Sequence, residues 1–305
     1  RLIMDFKSKI VLIYGPTASG KSIFSVRLAK KINGEIINAD SMQVYKDLKI
    51  LSARPLKKNY QKIKHHLYGF ISAKKNFSSG DWLKLTKKKI FDIRKRKKIP
   101  ILVGGTGLYF KALTDGLVNI PNIPIKHRKQ IRLLYKKLGS KKFYSKLIKL
   151  DPLVRGKINP SDPQRAIRAY EIKLFTKRSM YEWFKNTKSD YEKDDFYKIY
   201  IDFPRDRLIK RIHARTTDMI NGGAIMEVKR FLKLKIQPSK TAHKAIGIQE
   251  IREFLNKKIE ISEVIERISI KTRQYAKRQV TWARGNMFDW NKINSDALNK
   301  FLKKI

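Results

Sequence analysis

Gly15-Pro16-Thr17-Ala18-Ser19-Gly20-Lys21-Ser22 decides the fold class. The apolar run Ile10-Val11-Leu12-Ile13-Tyr14 precedes it, and an amphipathic stretch follows, with Phe24, Leu28 and Ile32 on one face and Lys30 and Lys31 on the other. That is a strand, a glycine-rich turn and a helix, with G-x-x-x-x-G-K-[ST] in the turn. Successive backbone N–H groups in such a turn form an anion nest, and the helix N-terminus adds its positive end. The stretch therefore predicts a di- or triphosphate site. Lys21 would hold a phosphate oxygen, and the Ser22 hydroxyl would ligate a magnesium ion (Mg2+) carried by that phosphate.

Beyond the loop, strands and helices alternate. Glu35-Ile36-Ile37-Asn38-Ala39 reads as a short strand delivering Asp40 at its carboxyl end. Trp82, Leu85, Ile90 and Ile93 predict a helix over about 80–98, and Ile99-Pro100-Ile101-Leu102-Val103 predicts a buried strand closed by Gly104-Gly105. This alternation predicts an α/β protein, P-loop NTPase-like, with a parallel sheet covered by helices on both faces. Ligands gather at the carboxyl ends of such strands, where the loop, Asp40 and Thr106 all fall. Residues 116–195 carry helical patterns and no strand signal, so a helical insertion domain is expected there. Residues 1–115 and 196–305 would then form the P-loop core. Strand character returns over Tyr197–Asp202, after which helices are expected to the last residue, the longest over about 262–284.

Composition bounds the function. The chain has 305 residues and no cysteine, which excludes disulfides, a thiol nucleophile and cysteine-held zinc. No apolar stretch reaches the ~18–20 residues of a membrane span, and residues 1–7 lack a signal-like core. A cytoplasmic monomer without membrane contact is expected. Lys and Arg number 71 against 26 Asp and Glu, a formal charge of +45. A polyanionic partner such as RNA explains that charge; an A/T-rich coding sequence that enriches lysine is the competing explanation.

The strand after the second helix ends Leu102-Val103-Gly104-Gly105-Thr106, without the carboxylate that a P-loop ATPase or kinase often places there. The acid near the phosphates is Asp40 instead. It can take a proton from an incoming nucleophile or cap a helix, and spacing leaves both readings open. His65-His66 has no third ligand at metal spacing and reads as structural.

The ordered segments GPTASGKS (15–22), NADSMQVYKDL (38–48), SARP (52–55), HHL (65–67), PILVGGTGLYFKAL (100–113), DPQRAIRAYEI (162–172), AIMEVKRF (224–231), KAIGIQEI (244–251) and TRQYAKRQVTWAR (272–284) resemble the tRNA dimethylallyltransferases, also called tRNA isopentenyltransferases. The resemblance runs from the first strand to the last long helix. It implies that Gly15, Pro16, Thr17, Ala18, Ser19, Gly20, Lys21 and Ser22 hold the diphosphate of dimethylallyl diphosphate rather than ATP. It also implies transfer of the allyl group to the exocyclic N6 amine of the adenosine beside the anticodon of a tRNA. Asp40 matches the family's general base, and Thr106 a residue near the reacting atoms and the tRNA. Asp40, Ser41, Met42 and Gln43 match the segment that meets the target nucleotide. Gln164, Arg165, Ala166, Ile167 and Arg168 match a tRNA contact on the insertion, and Arg128 another. Arg215 has two readings, a diphosphate contact or a solvated helix arginine, and an exposed basic face competes with RNA contact for Arg165 and Arg168. Arg273, Lys277 and Arg284 share a helix face suited to tracking phosphates; Trp282 suits either base stacking or core packing. Leu51 departs from a place where the family commonly has glycine. A P-loop small-molecule kinase and an RNA-binding NTPase are the two alternative functions.

Overall fold

The computed structural model describes residues 6–118 and 120–305; the first five residues of the stretch read as lacking a signal core lie outside them. Six strands, β1 (Ile10–Tyr14), β2 (Gly34–Asn38), β3 (His65–His66), β4 (Ile99–Gly104), β5 (Phe196–Asp202) and β6 (Asn291–Asn294), form one sheet in the order β3-β2-β4-β1-β5-β6. Every pairing is parallel, with Tyr14 beside Gly104 on one side and Tyr200 on the other. The helices are α1 (Lys21–Ile32), α2 (Ser79–Lys95), α3 (Gly107–Asp115), α4 (Ile125–Leu150), α5 (Pro163–Thr176), α6 (Met180–Lys185), α7 (Arg205–Met219), α8 (Ile225–Lys233), α9 (Ile248–Leu255), α10 (Ile261–Asn286) and α11 (Leu298–Lys303).

The central strands are buried on both faces, which is why they read as continuous apolar runs rather than alternating ones. Ile10, Leu12 and Tyr14 of β1 join one core with Trp82, Ile90, Tyr109 and Phe110 from α2 and α3. Val11 and Ile13 join the other with Phe24 and Leu28 of α1 and Leu302 of α11. Parallel strands place all their carboxyl ends on one edge. The loops after β1, β2, β4 and β5 therefore emerge together.

Two short strands escaped the sequence reading. β6 interrupts what was expected to be helix to the end, because Asn291–Asn294 is mostly exposed and carries no apolar signature. β3 is only two histidines; His66 Nε2 meets the fully buried Glu35 at 2.7 Å, and His65 stacks on Tyr60. The helix expected over 80–98 ends at Lys95, where Arg96 leaves helical geometry and Lys97 adopts a positive φ.

The chain divides into two compact units, 1–114 with 191–305 and 115–190. The second has helices and no strand among its described residues, with a core of Ile131, Phe143, Leu147, Ala169 and Ile172 from α4 and α5. Gly139, at φ 72°, bends α4. In the first unit, α8, α9 and α10 share a smaller core around Val228, Ile251, Val264 and Ile268.

Candidate active site

The phosphate loop is shaped by its own backbone. The Ser19 N–H donates to the Pro16 carbonyl at 3.2 Å, and both Ala18 (φ 64°) and Gly20 (φ 86°) take the left-handed conformation that turns amides inward. Glycine adopts that geometry without strain; alanine does so at a cost, a feature common at binding loops. The α1 helix then opens with no side-chain cap and no acidic residue in its first turn. The amides of Lys21, Ser22 and Ile23 have no carbonyl ahead of them in the helix, and its positive end faces the loop.

Two half-buried cations flank this nest. The Lys21 ammonium donates to the Pro16 carbonyl at 3.3 Å, and Arg215 Nη2 of α7 donates to Thr17 Oγ1 at 2.7 Å. Burial pushes Lys21 down to about 8; Asp40 opposes the shift and Arg215 adds to it. Burial likewise pushes Arg215 down to about 10, with Asp40 again opposing and Arg211 adding. Desolvated cations with so little compensation favour an anion. Of the two readings of Arg215, the solvated helix arginine is thus the one the geometry disfavours. Arg211, one turn before it, stacks over Phe203 at 4.9 Å and lies beside Gly20, a contact the sequence reading missed.

Asp40 is held from both sides. The buried Asn38 amide accepts from the Asp40 N–H at 2.9 Å and donates to its carbonyl at 3.0 Å, while the Trp82 indole N–H donates to the Asn38 carbonyl at 2.8 Å. Oδ1 of Asp40 accepts the N–H groups of Met42 (2.9 Å) and Gln43 (3.3 Å). Oδ2 has no protein donor among the described residues. Capping and proton acceptance are therefore not exclusive: one oxygen anchors a turn and the other remains open. Thr106 Oγ1 accepts the Ser41 N–H at 2.9 Å, which ties the end of β4 to the Asp40 turn. The phenol of Tyr275 on α10 lies beside Thr106 and Gln279; burial raises its pKa, and the Asp40 charge raises it further. Gln43 Nε2 donates to the carbonyls of Ser52 (3.0 Å) and Ala53 (3.3 Å), so it supports a loop rather than standing free.

Some of these groups border one cavity of 320 Å³, whose polar lining includes Thr17, Asp40, Ser41, Arg215 and Tyr275. Leu51, Met219, Ile220, Ile246 and Ile268 supply aliphatic lining. Such a wall suits a ligand with an anionic head and a small apolar tail. The 49–51 loop that contributes Leu51 hangs on Glu227 of α8, whose carboxylate accepts from the N–H groups of Lys49, Ile50 and Leu51 at 2.7 to 3.0 Å. A second cavity of 640 Å³, between α7 and α10, is lined by Arg205, Arg273, Lys277 and Arg284. Trp282 packs over Gly107 and near the Tyr14 ring, a core contact rather than a free stacking platform.

The remaining sequence candidates lie in the 115–190 unit. Gln164 and Arg165 are exposed on α5, and Arg165 pairs with Asp162 at 3.4 Å. Arg128 and Arg168 converge on the buried Glu171 at 3.7 and 3.4 Å. Ala166 is buried in the helical core and Ile167 packs partly against it, so the Ala166 side chain is not available to a partner.

Fold and site together define a P-loop α/β enzyme: an anion nest, an open carboxylate and an aliphatic wall around one cavity. The chain belongs to the IPP transferase family, whose model matches residues 43–286. It is 59% identical over 302 residues to a tRNA dimethylallyltransferase of Pelagibacter ubique, covering 99% of this chain and 96% of that one. A relative of the same name from Agrobacterium fabrum is 40% identical, with 95% and 98% covered. Among solved structures, a tRNA isopentenylpyrophosphate transferase from Staphylococcus epidermidis matches with TM-score 0.68 at 32% identity, covering 97% of this chain and 96% of that one. A eukaryotic dimethylallyltransferase described as acting on tRNA matches with TM-score 0.79 at 30% identity, covering 94% and 74%. The kinase and NTPase alternatives are not favoured by this membership. No helix among the described residues is long and apolar enough to cross a membrane.

Proposed function

We propose that this protein transfers the dimethylallyl group of dimethylallyl diphosphate to the exocyclic N6 amine of an anticodon-loop adenosine in tRNA. The observation that carries the reading is the juxtaposition, around one cavity, of the desolvated Arg215, a half-free carboxylate and an aliphatic wall, with the phosphate loop and its desolvated Lys21 adjoining through Thr17. The diphosphate is held by the amides of the α1 opening turn, by Lys21 and by Arg215. As the C1–O bond of the donor breaks, negative charge grows on the departing diphosphate, and these preorganised groups stabilise it more than the ground state. The N6 nitrogen forms the new bond to C1. Its lone pair is delocalised into the adenine ring, so it gains nucleophilicity as its proton moves to Asp40 Oδ2. Thr106 and Ser41 position the Asp40 turn against the base.

The donor set fits magnesium: the Ser22 hydroxyl at the helix start is a hard oxygen ligand, and Mg2+ is commonly held by one or two protein oxygens plus substrate phosphates. Bound there, the ion would neutralise charge on the leaving diphosphate. In the helical unit, Gln164, Arg165 and Arg168 on α5 and Arg128 on α4 offer donors to tRNA. The target adenine must leave its stack to reach a cavity at the sheet edge.

The test is a transfer assay with purified protein, Mg2+, dimethylallyl diphosphate and unmodified tRNA, read by nucleoside mass spectrometry. Prenylated adenosine from the wild type and none from Asp40→Ala is expected. ATP consumption without prenylated product would refute the reading.

A further inference from the structure

Gln279 sits on α10, more than 250 residues along the chain from the phosphate loop, yet its side chain bridges the two loops that carry the chemistry. Its Oε1 accepts the Thr17 N–H at 2.8 Å, and its Nε2 donates to the Gly105 carbonyl at 2.9 Å. Its own carbonyl accepts the Tyr14 hydroxyl at 2.9 Å. The side chain is 5% exposed. An amide N–H can only donate and a carbonyl only accept, so the two partners themselves fix which way round the glutamine amide lies. No other uncharged side chain of this length offers one donor and one acceptor side by side.

The slot it fills exists because residue 105 is glycine. A Cβ there would lie 2.2 Å from Gln279 Nε2 and 3.2 Å from the Gly15 carbonyl. β1 and β4 are neighbours up to Tyr14 and Gly104; beyond them the sheet ladder no longer joins the phosphate loop to the Gly105-Thr106 turn, although the Thr106 N–H still donates to the Ala39 carbonyl after β2 at 3.2 Å. Gln279 replaces that lost ladder with one side chain. One turn earlier on α10, the Tyr275 phenol lies beside Thr106 and Gln279, and Thr106 Oγ1 in turn accepts the Ser41 N–H beside Asp40. Gln279, the Gly105-Thr106 turn and the Ser41 N–H thus link the diphosphate end of the site to the acid that takes the proton.

We propose that Gln279 is a positioning residue that sets the register between the donor's reacting carbon, fixed through the phosphate loop, and the nucleophile, fixed through Thr106 and Asp40. This assignment rests on the prenyl-transfer reading. Gln279 occupies the Thr17 N–H, so it does not itself bind the diphosphate; the α1 amides and Lys21 keep their orientation without it. Loss of the bridge therefore leaves donor binding largely intact and misaligns the reacting atoms. A displacement of about 1 Å in such a geometry costs up to ~100-fold in rate.

The test compares Gln279→Met, which fills the slot without hydrogen bonds, with the pair Gly105→Ala/Gln279→Ala, in which the new methyl occupies the vacated space. Both should retain a melting temperature near that of the wild type. Both should show kcat reduced roughly 10- to 100-fold, with KM for dimethylallyl diphosphate changed less than about threefold. Wild-type kcat in either variant would mean that filling the slot is all that matters, and would overturn the assignment. A raised KM at unchanged kcat would also overturn it, making Gln279 a mere support for donor binding. Wild-type transfer in the same assay separates a failure of this assignment from a failure of the prenyl-transfer reading. Amide exchange at Thr17 gives a readout independent of turnover: it should quicken in Gln279→Met, and unchanged protection there would remove the bridge from the argument.

Discussion

Glu227→Ala removes a carboxylate that no part of the chemistry touches, yet the cavity wall depends on it. The Glu227 oxygens accept from three consecutive amides, those of Lys49, Ile50 and Leu51, at 2.7 to 3.0 Å. The arrangement resembles a helix N-cap applied from outside, with a charged acceptor serving donors that have no helix of their own. Hydrogen bonds to a charged group contribute about 1.5–3 kcal/mol each when buried. Here the Lys49 end is exposed, so about 1 kcal/mol per amide, roughly 3 kcal/mol in all, is the reasonable scale. The loop is otherwise tied by Gln43 Nε2 to the Ser52 and Ala53 carbonyls, so the variant should loosen it without unfolding the protein. Three kcal/mol of local stability corresponds to about a hundredfold faster opening. Hydrogen exchange should therefore show the amides of 49–51 exchanging about a hundredfold faster, while α8 away from the site changes little. KM for the allyl donor should rise, because Leu51 supplies part of the aliphatic wall. Unchanged exchange at 49–51 would refute the reasoning; a collapse of protection throughout α8 and α9 would mean that Glu227 serves the local core instead.

Three further outcomes are expected. Asp40→Asn keeps an oxygen for the Met42 and Gln43 amides but cannot take a proton, so kcat should fall by about 10²–10⁴ with tRNA affinity nearly unchanged, measured by single turnover and filter binding. Lys21 has a folded pKa of about 8 against 10.5 when solvated, so between these values the unfolded chain binds more protons and the ligand-free protein gains stability as pH rises. Diphosphate reverses the preference by holding the ammonium charged. The ratio of wild-type to Lys21→Arg affinity for inorganic diphosphate, measured by calorimetry without metal so that the ligand's own ionisation cancels, should be flat below about pH 8 and fall above it. Arg273→Ala/Lys277→Ala/Arg284→Ala, in the groove between α7 and α10, should lower the slope of log affinity for tRNA against log salt by about 2–3. The control Lys30→Ala/Lys31→Ala/Lys95→Ala alters the opposite sheet edge and should leave the slope nearly intact; equal losses would assign the +45 charge to a diffuse field rather than to that groove.

What could be read from the chain follows from which interactions are local. The phosphate loop was legible because its function is written in consecutive residues: the turn, the uncapped helix start and the lysine all lie within eight positions. The buried strands were legible because a doubly covered parallel sheet needs unbroken apolar runs. β3 and β6 were not, since edge strands this short are held by backbone pairing rather than by burial of their side chains. The same distinction separates the site residues. Asp40 could be singled out as an acid at a strand end, but spacing left its two roles open; the structure adds that Oδ1 anchors the turn through the Met42 and Gln43 amides. Gln279 and Glu227 lie inside segments that carried the family resemblance, and Gln279 follows Tyr275 at the i+4 spacing of a helix face. Nothing local marks either one, because each acts on the backbone of a loop far away in sequence, and a backbone amide leaves no signature in the residue that owns it. The one indirect trace is the glycine at 105, where the absence of a side chain records the space that a distant glutamine needs. A paired glycine and polar side chain is thus the pattern by which such a bridge becomes visible, and it is visible only once the fold has placed α10 against the sheet edge.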